Sequence, residues 1–265
     1  MSIWQKPPLG AQPVIQVPGL VGNWIMNDGG PKLSTIQDYS GNGNTGTLVA
    51  DAQFTSGFNG PALTFDGSGD YVITTYNTPF GTGEFSLNAW IWADSVQSAS
   101  FPKWAGMGDT NAGEWMWGPQ GDRFNHYFYA DSGLVNIEAG ALPADAWFMA
   151  TVVKTASSVT LFINAVAKGA DSTISGLDLT DTTFLRFGNA DNDANRWFNG
   201  KMSNIQIYNR ALTPGEVQQL YNDSFYMFRH DPIELWTAAS PAAVGGNAPT
   251  SHIEGPLYGP LGGPI

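Results

Sequence analysis

The segment 101–131, FPKWAGMGDTNAGEWMWGPQGDRFNHYFYAD, sets Trp104, Trp115, Trp117, Tyr127 and Tyr129 among Asp109, Glu114, Asp122, Arg123 and Asn125. Aromatic rings offer flat faces for the C–H surfaces of sugars, and amide, carboxylate and guanidinium groups direct the hydroxyls. Trp104, Trp115, Trp117, Arg123, Asn125 and Tyr127 are therefore candidate glycan contacts, and Asn195 and Trp197 form a second small cluster. The competing reading is that the rings fill a core or pack under loops. That reading is the expectation for Trp90, Trp92 and Trp147, which fall on strand-like segments.

Carboxylates supply the second kind of chemistry. Asp38, Asp66 and Asp70 lie in turn-like stretches, and Asp191 and Asp193 share the loop DNDAN. Calcium takes about six to eight oxygens, often from such loops, although Asp and Asn also build turns without any ion. An EF-hand is excluded, because its glycine position holds Arg196. Catalytic sets are missing. The three histidines (126, 230, 252) are far apart, with no H-E-x-x-H pattern, and no G-x-S-x-G elbow occurs. Residues 41–46, GNGNTG, match a dinucleotide fingerprint, but the β-like TLVADAQF follows where a helix must receive the pyrophosphate. The glycines and asparagines there are turn formers. The expectation is a non-enzyme.

Composition narrows the partners. The chain has 265 residues, 42% of them apolar and 13% charged, so it can bury a core. Its 23 acidic and 11 basic residues leave a formal charge of −12. A nucleic-acid binder needs a basic footprint, and an anionic membrane needs one too. Neither partner is expected. The absence of cysteine removes disulfides and thiolate sites. The N-terminus lacks the run of about 7–15 apolar residues of a signal peptide, and no window nears the ~20 of a membrane span. Export by that route and membrane insertion are not expected.

The elements that must position these groups are short strands. In 85–93, FSLNAWIWA, Phe85, Leu87, Ala89 and Ile91 share one face. Segments 148–154, 159–164 and 204–209 alternate in the same way, separated by Gly, Asn, Asp and Pro clusters. Many short strands with frequent turns predict a sandwich or barrel. One helix interrupts the pattern. Thr213 is placed to cap it, Pro214 opens it, and Glu216 can complete a capping box. Leu212 and Val217 can form a staple, and Val217, Leu220 and Tyr221 form one apolar stripe. Two turns are too few to stand alone in water, so the helix is expected to close one end of the core. Residues 1–20 are Pro-rich and extended, and residues from about 238 to 265 are dominated by Gly, Pro and Ala. Ile253, Leu257, Tyr258, Leu261 and Ile265 are spaced apolar anchors in that second arm. The expected division is an arm at 1–20, a domain at 21–225 and an arm at 226–265.

Six stretches in order carry a resemblance: 38–48 DYSGNGNTGTL, 60–72 GPALTFDGSGDYV, FSLNAWIWA, 147–169, 185–189 LRFGN, and 198–221 FNGKMSNIQIYNRALTPGEVQQLY. Together they resemble the laminin-G-like, concanavalin A-like jelly-roll superfamily. The resemblance implies an all-β, two-sheet antiparallel jelly-roll sandwich with one short C-terminal helix. It also implies a calcium at the rim, for which Asp38, Asp66, Asp70, Asp191 and Asp193 are the candidates. Glycosidases of this superfamily use an E-x-D-x-(x)-E strand motif, and every Glu here is isolated. Residues 220–235, LYNDSFYMFRHDPIEL, resemble endings of phage proteins. The resulting expectation is a virion structural or decoration protein on a capsid or tail surface. Its arms would bind copies of itself or other subunits. The alternative is a calcium-assisted lectin-like module for cell-surface glycans, with a glycoside hydrolase behind both.

Overall fold

A computed structural model describes residues 17–26, 34–95, 97, 99–108, 114–120, 123–130, 133–171, 174, 177–180, 182–190 and 196–224. The anchors Ile253, Leu257, Tyr258, Leu261 and Ile265 lie outside the described residues, as do Asp191, Asp193 and Asn195.

Sixteen strands and one helix follow one another in the described residues: β1 (Leu20–Trp24), β2 (Thr35–Ile36), β3 (Gly46–Val49), β4 (Gln53–Gly57), β5 (Gly60–Asp66), β6 (Tyr71–Thr74), β7 (Phe85–Ala93), β8 (Ala105–Met107), β9 (Glu114–Gln120), β10 (Arg123–Ala130), β11 (Gly133–Ala141), β12 (Trp147–Lys154), β13 (Val159–Ile163), β14 (Val166–Asp171), β15 (Arg186–Phe187), β16 (Asn199–Tyr208) and α1 (Pro214–Asn222). They form two antiparallel sheets, as the sandwich expectation required. The first runs β14-β13-β12-β7-β16-β5-β4, with β1 also on β16; the second runs β11-β10-β9-β8-β15-β6-β3-β2.

Alternation decides what enters the space between the sheets. Phe85, Leu87, Ala89, Ile91 and Ala93 of β7 join a core with Phe148, Ala150 and Val152 of β12. The second sheet contributes Val72, Trp115, Trp117, Ile137 and Phe187. At one margin Gly169 of β14 approaches the Glu138–Ala139 backbone so closely that a side chain there would clash. That contact draws the two sheet edges together.

β16 is the organising strand. Asn199–Met202 pairs with β5, and Ile205–Tyr208 pairs with β1. A bulge lies between Ser203 and Gln206 on the β7 side, where Asn204 has φ 48°. The extra residue resets the alternation. Met202, Ile205 and Ile207 consequently all face the core.

The helix departs from expectation in its position. Its capping box is present, with Thr213 accepting from the Glu216 N–H, and Glu216 Oε2 accepting from the Thr213 N–H at 2.8 Å. It does not close an end of the core. Val217 and Leu220 pack with Leu20, Trp90, Met149, Val153, Phe162, Tyr208 and Leu212, which form a second cluster apart from the inter-sheet core. Trp90 faces away from Ala89 and Ile91, so this cluster covers the outer surface of the first sheet. Trp90 is stacked against Phe58 (3.7 Å) and Tyr221 (5.7 Å), and its Nε1–H donates to Ser224 Oγ at 2.6 Å. An apolar outer surface of that kind cannot face water without cost, and the helix is its cover.

Candidate functional site

Trp115 and Trp117 are strand residues of β9, and Trp104 directly precedes β8. Trp115 and Trp117 alternate with Met116 along β9, which turns both indoles inward. Trp104, Trp115 and Trp117 are at most 1% exposed. Trp104 meets Trp117 edge-on at 5.4 Å and Phe148 of the opposite sheet at 5.7 Å. The three are core residues, which corrects their reading as ligand contacts. Asn125 is likewise fully buried, donating to Gln120 Oε1 at 3.2 Å and to Asn136 Oδ1 at 3.1 Å. Arg123 and Tyr127 are placed in β10 by the backbone, and their side chains lie outside the described set.

Trp197 stands differently. Its neighbour Phe198 is wholly buried in the core, so Trp197 is turned the other way and is half-buried. Along β6, Val72 points inward, and Tyr71 and Ile73 point outward. The ring of Tyr71 lies 5.9 Å from that of Trp197 with 32° between their planes. Arg186 of β15 pairs with Ile73 and therefore shares this outer face; its guanidinium lies 5.0 Å above the Tyr71 ring. Two rings and a cation thus form a shallow platform on the outside of the second sheet. Another half-exposed pair, Trp92 and Trp147, meets at 68°, so it presents no continuous flat face.

The platform adjoins carboxylates along the chain. The β5–β6 turn, Asp66-Gly67-Ser68-Gly69-Asp70, depends on glycine at two left-handed positions, φ 82° and 87°. It brings Asp66 and Asp70 together with Asp51 of the β3–β4 turn, each offering an oxygen within 4.8 Å of the others. Oxygens bound to one calcium at about 2.3–2.6 Å are separated by no more than about twice that distance, so the spacing fits a divalent cation. Asp70 is 2% exposed, and its two oxygens accept from the Asp51 N–H (3.0 Å) and the Asp66 N–H (3.1 Å). Burial, reinforced by the neighbouring Asp51 and Asp66, pushes its carboxyl up to about 6. A raised carboxyl beside others could suggest a glycosidic acid. Here it is sealed in the turn and stitched to backbone, out of reach of a bound sugar.

Asp38 is elsewhere and is not available to a cation. Its Oδ1 accepts from the Asn23 and Ser40 N–H groups, and its Oδ2 from Ser40 Oγ and the Asn44 N–H, all within 2.9 Å. Those four bonds occupy the roughly four lone-pair positions of a carboxylate. Of the sequence candidates, the structure brings together Asp66 and Asp70, and puts Trp197 on the same flank of the sheet. Asp51, Tyr71 and Arg186 were not singled out by the sequence. Tyr71 had one readable signal, its place next to Asp70 in an alternating strand.

The family described as the concanavalin A-like lectin/glucanases superfamily matches residues 66–218. No curated protein matches the sequence. Among solved structures, the binding domain of Paraclostridial Mosquitocidal Protein 1 is similar at TM-score 0.64 and 18% identity, over 78% of this chain and 53% of that one. The botulinum neurotoxin serotype G binding domain is similar at 0.62 and 14%, over 78% and 51%. Domain 4 of AbnA, an extracellular arabinanase of Geobacillus stearothermophilus solved with arabinotriose, is similar at 0.60 and 18%, over 76% and 98%. The chain spans about half the length of the toxin domains. No helix of the described residues is long and apolar enough to cross a membrane.

Proposed function

Because the chain belongs to the concanavalin A-like lectin/glucanase superfamily, we propose that it is a non-catalytic carbohydrate-binding module whose ligand face is the platform of Tyr71, Trp197 and Arg186. The carrying observation is the contrast between the two sets of aromatics. The tryptophans of β8–β9 and its approach are locked in the core, and Tyr71 and Trp197 lie nearly side by side outside it. A sugar ring would stack across them, and the guanidinium would donate to its hydroxyls. Asp51, Asp66 and Asp70 would hold a calcium ion in the adjoining turns. The ion would neutralise the clustered carboxylates and stiffen the rim that carries Tyr71.

Titration of the full chain against neutral polysaccharides and cell-surface glycans tests this. Trp197→Ala and Tyr71→Ala are each expected to weaken binding at least about tenfold, equivalent to about 1.4 kcal/mol. Unchanged affinity in both variants sinks the platform.

A role in virion assembly is a second reading, resting on the apolar spacing of Ile253, Leu257, Tyr258, Leu261 and Ile265 in the Gly/Pro-rich segment. Many displayed copies would raise weak saccharide contacts by avidity. Removal of 238–265 is expected to abolish self-association in light scattering. A chain that is monomeric with or without that segment ends this reading.

A further inference from the structure

A groove of about 480 Å³ lies between the 38–44 turn, the 75–84 loop and Asn209. It is far from the platform: Tyr76 follows the end of β6 opposite to Tyr71, and Asn209 follows the end of β16 opposite to Trp197. The groove therefore sits at the other rim of the sandwich. Its volume falls within the roughly 300–1,000 Å³ of small-molecule sites.

Both walls are held in place without any ligand. On one side Asp38 fixes the turn through the Asn23, Ser40 and Asn44 N–H groups. The Nδ2 groups of Asn42 and Asn44 both donate to Val21 O, at 3.3 and 2.8 Å. These bonds engage both carboxamide nitrogens and hold the two side chains in place. On the other side Gly81 and Leu179 exchange backbone hydrogen bonds of 2.8 and 2.9 Å. The buried Lys154 ammonium donates to Thr82 O at 3.1 Å and Gly83 O at 2.8 Å. Phe80 stacks on Phe85 at 4.1 Å, with Tyr76 next to it at 6.3 Å. The lining thus combines the half-buried ring of Phe80 with Asn42, Asn44, Asn209 and Glu84, and the edge of Tyr76, whose body is buried in the core.

Such a lining suits one ligand chemistry. Carboxamides and a carboxylate direct hydroxyls, and the Phe80 ring offers an apolar face. Among the described residues that line the groove there is one carboxylate and no lysine or arginine, which disfavours acidic ligands. We propose that this groove is a second saccharide site, separate from the platform, that takes a neutral oligosaccharide and makes the module bivalent. The ligand class rests on the carbohydrate-binding reading above; the location does not. A rigid site of this sort loses little entropy on ordering when it binds.

Calorimetric titration of the full chain with neutral arabino-, xylo-, cello- and malto-oligosaccharides tests the proposal, with a galacturonate oligomer as the acidic comparison. The variants are Glu84→Ala, Asn209→Trp to obstruct the groove, and Trp197→Ala. At least one neutral oligomer is expected to keep binding Trp197→Ala and to lose tenfold or more in both groove variants, with the acidic oligomer showing no groove-dependent heat. Asn209→Trp alters only an exposed turn residue, so a loss there is readable even if Glu84→Ala disturbs the loop. Binding abolished by Trp197→Ala and indifferent to both groove variants overturns the second site and leaves the platform standing. If no ligand at all loses affinity in Trp197→Ala while the groove variants lose it, the groove stands and the platform reading falls. Absence of heat with every oligomer removes both.

Discussion

Asp70 shows how far a side chain's chemistry is set by its surroundings. An ordinary aspartate titrates near 3.8, and burial beside Asp51 and Asp66 raises this one to about 6. Between those values the native state keeps a proton that the unfolded chain has released. Stability is therefore expected to fall as pH rises from about 4 to about 6, and to stay reduced above that. A bound calcium ion favours the ionised form and reverses the trend. Melting temperatures across this pH range, with EDTA and with excess calcium, measure both effects. Asp70→Asn should flatten the decline and remove the calcium response. A calcium response that survives in Asp70→Asn would exclude this triad as the site. Trp117 belongs to the same scale. As a core residue its replacement by alanine should cost about 3–5 kcal/mol of stability, measured by denaturant unfolding, where a surface ligand contact would cost almost nothing.

At the scale of elements, Arg210 adds a polar tie to the apolar packing that holds α1 on the sheet. Arg210 forms a paired contact with Glu216 at 2.6 and 3.0 Å, and its Nε donates to Pro18 O at 2.8 Å. It thereby joins the helix cap to the chain entering β1. The Arg210 guanidinium, aided by Thr213, holds the Glu216 carboxyl down at about 2. A depressed carboxyl contributes fully above its unfolded value of 4.5, and the contribution disappears as pH falls from there toward about 2. Glu216→Gln should lack that acid limb in a stability–pH profile. Thr213→Ala should cost about 1 kcal/mol through the lost cap. Arg210→Lys should also weaken the helix, because an ammonium cannot make the forked contact. Identical acid unfolding of Glu216→Gln and the parent chain would show that the pair contributes nothing.

Across the whole molecule, the proposed binding face lies apart from the surface that the helix covers. The helix and its apolar cluster cover the outside of the first sheet, and Tyr71, Arg186 and Trp197 occupy the outside of the second. Leu220→Ala is expected to lower stability by about 2–5 kcal/mol. Measured well below its melting point, the variant should bind saccharide with unchanged affinity. A matching loss of affinity would mean that the two faces are coupled through the core.

The amino-acid order by itself determined the local structure. Alternation in FSLNAWIWA placed β7, and T-P-G-E placed the cap, the first turn and the capping box. These signals need only near neighbours, because strand and helix periods are properties of the backbone. The same order left the candidate surfaces open. A period of two assigns Trp115 and Trp117 to one face and Met116 to the other, but which face meets the second sheet depends on the packing of strands far away in sequence. Residues 42–44, 76–84 and 209 share a groove, and Asp51 joins Asp66 and Asp70, only because the sheet order sets their turns side by side. Tertiary structure made those decisions, since contacts between distant segments arise from burying two sheets against each other and from no local preference.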